Sequence, residues 1–211
     1  MNYDTLLFDL DGTISDPLEG IGRSINHALD HFGYSQIPMD EIAQHIGVPL
    51  DGLFRLFSEE TADETILPMV DIYRERYIEV GYAENELYPE MPEILRSLTQ
   101  SGMCMGICTS KRKDYATKIV EMFGLLDCFE FVSGGDVGIS KAQQIEDLVR
   151  DGLASANSLM IGDRAVDLTS GHANGLGAAG VLWGFGSREE LEKENPRHLF
   201  SEPEELLELK A

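Results

Sequence analysis

The chain has 211 residues, 43% of them hydrophobic, enough for one sizeable core or a core domain with a modest insertion. Thirty-eight acidic residues against 16 basic ones give a formal charge of −22, which argues against a nucleic acid polymer or a membrane surface as partner, since both demand positive surface. No secretory leader and no run of the ~20 apolar residues that cross a bilayer is read here, and Cys104, Cys108 and Cys128 are odd in number, the first two in an apolar strand-like run that fits no metal motif, so buried reduced thiols and a cytoplasmic location are expected.

Tyr3 to Thr13 reads Y-D-T-L-L-F-D-L-D-G-T. Thr5 to Phe8 is a short apolar and β-branched run, predicted as a strand buried on both faces. It breaks into Asp9 and Asp11, and a buried strand cannot hold two bare carboxylates without a cation or hydrogen-bond donors. Their natural place is the carboxyl end of the strand, where open parallel sheets put ligands, and a hard cation such as Mg²⁺ suits so oxygen-rich a site. The other reading of these residues is a solvated Asp-Gly turn closing a hairpin.

The next segment, S-D-P-L-E, predicts a helix with Asp16 as N-cap and Pro17 at its first position. Leu18, Ile21, Ile25, Leu29 and Phe32 recur at spacings of three and four, and Gly33 supplies the stop. Further helices are predicted around 41–46, over 50–57 and from 62 to 80, so the interval 16–83 reads as all helix. From Pro89 the pattern changes to alternation. Helices over 92–100, 115–123, 141–150 and 166–173 separate strands at 103–108, 129–132, 158–161 and 178–182. A polar helix from Ser187, a strand at 198–200 and a final helical turn from Pro203 follow. Such alternation means a parallel sheet with right-handed crossovers, an α/β doubly wound, Rossmann-like core. In that fold the polar strand ends Asp9/Asp11, Thr109/Ser110 and Asp163 share one edge.

Together these segments resemble the haloacid dehalogenase superfamily over essentially the whole chain, with the phosphoglycolate phosphatase-like branch the nearest in pattern. D-x-D-G-T matches Asp9 to Thr13, the strand ending in Thr or Ser matches Thr109, the lone lysine matches Lys141, and G-D-x-x-x-D matches Gly162, Asp163 and Asp167. The resemblance implies a core of residues 1–15 and 84–211 carrying a helical cap, 16–83, that selects substrate. It also implies Mg²⁺ as cofactor, held by Asp9, the Asp11 carbonyl and Asp163, with Asp167 binding it through water or orienting Lys141.

On the same resemblance Asp9 attacks phosphorus and becomes an aspartyl-phosphate. Asp11 protonates the leaving oxygen and then deprotonates the hydrolytic water. Thr109 binds a phosphoryl oxygen, and Lys141 offsets charge on phosphate and nucleophile. Ser110 and Arg164 border the site. One departure is Ala142, where many members have proline after the lysine; it bears on how Lys141 is placed on its helix.

The expected function is hydrolysis of a small phosphorylated metabolite of phosphoglycolate type by a monomer or weak dimer. A nucleoside 5′-monophosphate phosphatase and a β-phosphoglucomutase-like mutase share all four segments, while Asp11 argues against a dehalogenase, whose halide needs no proton. A non-catalytic binding protein on the same fold is the alternative of a different class. No lysine precedes Lys111, so Arg23 and Arg55 are the cap candidates for a second anionic group, each readable equally as an exposed helix residue. Arg74 and Arg76, amid acids on the long helix, read as surface charges.

Overall fold

A computed structural model describes residues 3–135 and 139–210. In chain order the strands are β1 Thr5–Phe8, β2 Ser15–Asp16, β3 Glu86–Leu87, β4 Cys104–Arg112, β5 Phe131–Gly135, β6 Leu159–Gly162, β7 Gly177–Val181 and β8 His198–Phe200. The helices are α1 Leu18–His31, α2 Met39–Ala43, α3 Leu50–Ser58, α4 Asp63–Glu79, α5 Met91–Gln100, α6 Lys113–Met122, α7 Lys141–Arg150, α8 Ala165–Ala173 and α9 Arg188–Lys193. Contacts divide the chain into two compact units, Met1–Asp16 with Leu87–Ala211, and Pro17–Glu86.

The first unit is built on a parallel sheet of six strands in the order β5-β4-β1-β6-β7-β8. Leaving β1, the chain fills one side of the sheet through β4 and β5, then returns to the other side of β1 for β6, β7 and β8. The order therefore reverses beside β1, and a doubly wound sheet opens its ligand crevice at that point, beyond the carboxyl ends of the strands. Register makes those ends level. Phe8 pairs with Ile107 on one side and Ile161 on the other, so Asp9, Thr109 and Asp163 all emerge at the same edge.

The strands are apolar on both faces because helices flank the sheet. Leu7, Cys108 and Met160 pack with Ile145 and Leu148 of α7 in one such layer, and Phe131 lies against them. Gly106 makes room for that ring, since a Cβ there would come within 2.2 Å of it. Burial in this layer pushes the Cys108 thiol up to about 12, which leaves it inert. All three cysteines are free; Cys108 is buried, whereas Cys104 and Cys128 are partly exposed, contrary to the expectation for Cys104.

Two predicted details differ. Asp16 does not cap α1: Pro17 stands at the cap position, no side chain closes the helix start, and Asp16 lies instead in β2, which pairs with β3. The predicted strand end at Thr109 is also short, because β4 continues to Arg112 through a register irregularity opposite Gly134 and Gly135. A Cβ on Gly135 would approach the Ser110 carbonyl to 2.4 Å, so only glycine admits the extension.

In the second unit, α1 buries Gly20, Gly22, Ile25, Ala28 and Leu29, while Phe32 falls beyond the helix and is exposed. A Cβ on Gly20 would meet the Gly81 carbonyl at 2.0 Å, which is how closely the turn Gly81–Glu84 packs on α1. Arg76 is not a surface charge. It bonds Ser24 at 2.9 Å and both oxygens of Glu84, because α4 turns it inward toward α1. No helix among the described residues is long and apolar enough to cross a membrane.

Candidate active site

The edge beyond β1 and β6 gathers a buried acidic cluster. Asp9, Asp163 and Asp167 each place a carboxylate oxygen within 4.8 Å of the others, and all three residues are buried. Asp9 follows the last residue of β1, its N–H donating to the Ile161 carbonyl at 2.9 Å. Asp163 follows β6, and Asp167 sits in the first turn of α8, where the helix dipole favours an acid.

The glycines of the two acidic segments are required by this crowding. Gly12 adopts φ +83°, and a Cβ there would come within 2.2 Å of the Asp163 carboxylate. A Cβ on Gly162 would equally strike Asp167 at 2.2 Å.

Lys141 is the first residue of α7 and is buried with its ammonium between two of the acids. It stands 3.0 Å from Asp9 Oδ1 and bonds Asp167 Oδ1 directly. Burial works against its charge, but Asp167 and Asp9 outweigh that and hold the ammonium protonated. Its placement does not need the proline common in similar sequences. Ser140 caps α7, accepting from the Gln143 N–H at 3.2 Å, while Gln143 Oε1 accepts from the Ser140 N–H at 2.9 Å. This reciprocal capping box fixes where the helix begins and hence where Lys141 points.

One ammonium does not balance three carboxylates. Burial foremost, with Asp167 and Asp9 adding repulsion, pushes the Asp163 carboxyl up to about 8. Burial likewise raises Asp167 to about 6, Lys141 pulling the other way. Asp167 is committed to protein partners: Oδ1 to Lys141, and Oδ2 to the Arg164 N–H at 3.0 Å. Asp9 Oδ1, by contrast, is a buried oxygen with no aligned hydrogen bond among the described residues. A divalent cation fits here, because hard oxygen donors face one another with more negative charge than Lys141 alone offsets.

Asp11 meets Lys111, whose ammonium lies 2.8 Å from Asp11 Oδ2. Burial raises the Asp11 carboxyl above its ordinary value, and Lys111 moderates the rise. Lys111 was not among the residues singled out from sequence. Its one sequence signal was its place two residues past Thr109, at the strand end that the pattern puts at the sheet edge. The Lys111 N–H also donates to Thr109 Oγ1 at 3.2 Å. That occupies an acceptor site on the Thr109 hydroxyl and leaves its proton to donate elsewhere.

Ser110 is exposed beside the buried Thr109. Arg164 donates from its Nε to Glu190 at 3.0 Å. In the helical unit, Arg23 pairs with Glu19 at 2.7 Å and with Glu84 at 3.0 Å, and Arg55 pairs with Asp63 and the Thr61 carbonyl.

Comparison with known proteins shows the family. A family profile described as haloacid dehalogenase-like hydrolase matches residues 6–181. A 5′-nucleotidase of Pseudomonas aeruginosa is 36% identical over 206 residues, spanning 94% of this chain and 91% of its own. A phosphoglycolate phosphatase of Aquifex aeolicus is 26% identical across 97% of this chain and 95% of its own. Among solved structures, a predicted phosphatase from Clostridium acetobutylicum superposes with a TM-score of 0.89 at 29% identity, covering 99% of this chain and 98% of the other.

Proposed function

The chain belongs to the haloacid dehalogenase-like hydrolases and is a phosphatase of that family, and on that premise we propose that it hydrolyses a small phosphomonoester through an aspartyl-phosphate, with Mg²⁺ as cofactor. The observation that carries this reading is Lys141, buried and shared between Asp9 and Asp167 at the sheet edge. A buried ammonium there lies against the Asp9 carboxylate and offsets the charge of a phosphoryl group arriving beside it.

Asp9 is the nucleophile, its carboxylate lying against Lys141. Thr109 donates its hydroxyl proton to a phosphoryl oxygen, its acceptor side being taken by the Lys111 N–H. Asp11 gives the departing alkoxide the proton it needs and afterwards accepts a proton from the water that attacks the aspartyl-phosphate. Asp167 orients Lys141. Asp9, Asp163 and the Asp11 carbonyl would hold Mg²⁺, which when bound neutralises phosphoryl charge and helps align the phosphate.

The helical unit, residues 17–86, is the substrate-selecting element on this reading, with Arg23 and Arg55 as candidates for a second anionic group. Two substrate classes lead. A nucleoside 5′-monophosphate is favoured by the 36% identity to a 5′-nucleotidase, and a phosphoglycolate-type acid by the 26% identity to a phosphoglycolate phosphatase. Phosphate release with Mg²⁺ across glycolate, sugar and nucleotide monophosphates decides between them. Stoichiometric isomerisation of a hexose phosphate without free phosphate would replace the hydrolase reading with a mutase. Asp9→Asn is expected to lose at least ~10³-fold in turnover, and turnover unaffected by it would remove the mechanism.

A further inference from the structure

The loop Trp183–Gly186 between β7 and α9 belongs to none of the four sequence segments, yet it bonds to two of them. The Trp183 indole N–H donates to the Thr13 carbonyl at 3.0 Å, and the Phe185 N–H donates to Asp163 Oδ2 at 2.9 Å. The two glycines of the loop show how close its backbone lies. A Cβ on Gly184 would come within 2.3 Å of the Gly12 carbonyl and 2.4 Å of Asp163 Cβ. A Cβ on Gly186 would fall 1.8 Å from the Asp163 carbonyl.

These contacts close a chain of constraint. Thr13 Oγ1 reaches Asp163 Oδ1 at 3.4 Å, a long hydrogen bond that holds direction only if Thr13 is itself fixed. Trp183 fixes Thr13 by its carbonyl, while Phe185 pins the second oxygen of the same carboxylate. We propose that Trp183 is a positioning residue for magnesium binding: through Thr13 it sets the direction in which Asp163 presents its carboxylate to Asp9. The inference rests on the magnesium-dependent reading above. Trp183 is also the single tryptophan of the chain, so its emission reports on the site.

The test is calorimetric titration of Mg²⁺ into the full chain, its Trp183→Phe variant and Asp163→Asn. Phenylalanine keeps an aromatic ring but removes the N–H donor together with part of the indole's bulk, which is why the metal-free midpoint is read beside the affinity. Affinity is expected to fall about tenfold, the lower end of the effect of groups that orient a metal ligand, with the metal-free melting midpoint unchanged. Asp163→Asn should abolish binding. Wild-type affinity in Trp183→Phe overturns the proposal, as does a fall in affinity matched by a fall in the metal-free midpoint, which marks a packing role. Should that variant not fold, the wild-type emission decides: it should change on Mg²⁺ titration and saturate with the heat signal, and a flat response overturns the proposal. A wild-type chain that takes up no Mg²⁺ removes the magnesium reading and this inference with it, whereas normal wild-type binding with an unaltered variant removes the inference alone.

Discussion

Lys141 Nζ stands 3.0 Å from Asp9 Oδ1 and at the same time bonds Asp167, with its own side chain only 1% exposed. One ammonium is thus shared by two carboxylates at the crevice of the sheet. On the proposed mechanism the arrangement couples catalysis to stability, because whatever removes the ammonium leaves buried anions behind.

Lys141→Met is therefore expected to lose activity and stability together. Turnover should fall by roughly 10²-fold or more, as for the loss of one preorganised transition-state donor. Unfolding free energy should fall by about 3 kcal/mol, the usual scale for breaking a buried pair by deleting one partner. Denaturant titration beside steady-state kinetics measures both, and an inactive variant of full stability would mean the acids are offset by something other than Lys141.

Asp11→Asn should separate substrates by their leaving group. An alkyl phosphate needs a proton on the departing oxygen, so single-turnover phosphorylation should slow by about 10²-fold or more. An aryl phosphate with an acidic phenol leaves without help and should slow much less. Equal losses in that step would deny Asp11 the role of leaving-group acid, whatever its later part in hydrolysis.

The metal-free protein should lose stability as pH rises. Asp163 and Asp167 titrate in the folded chain at about 8 and about 6, above the ordinary 3.8 of the unfolded chain. Between about pH 4 and 8 the folded state therefore holds more protons than the unfolded state, and the contribution present at low pH disappears as these carboxyls ionise. The raised ammonium of Lys141 adds no slope in this window. Melting midpoints should fall from pH 5 to pH 8 without Mg²⁺ and flatten with it; a metal-free midpoint that climbs over that range contradicts the assignment.

Glu90→Gly should stabilise the fold. Glu90 sits at φ 60° just before α5, a left-handed backbone that glycine adopts without strain. Its carboxyl is also raised by the neighbouring Glu204, so the substitution removes a repulsion too. A rise of about 2 °C in the melting midpoint is expected for a chain of this size, and a fall would mean that the exposed side chain contributes more than its backbone costs.

Sequence alone was enough for the parts of this protein governed by neighbours along the chain. The apolar run Thr5–Phe8, the alternation from Pro89 onward and the helix over 141–150 are local patterns, and each forms close to where periodicity places it. The acids that follow β1 and β6, Asp9 and Asp163, were legible for the same reason: a buried parallel strand has nowhere else to release a charge. Tertiary structure decided what depends on partners distant in sequence. Strand pairing, not helix capping, took Asp16; a packed turn drew Arg76 inward to Glu84; Lys111 met Asp11 across β4 and β1; and the Trp183 loop closed over Thr13 and Asp163. Hydrophobic period reports which face of an element is buried, but an ion pair or an indole hydrogen bond exists only once two separate elements have been brought within about 3 Å of each other.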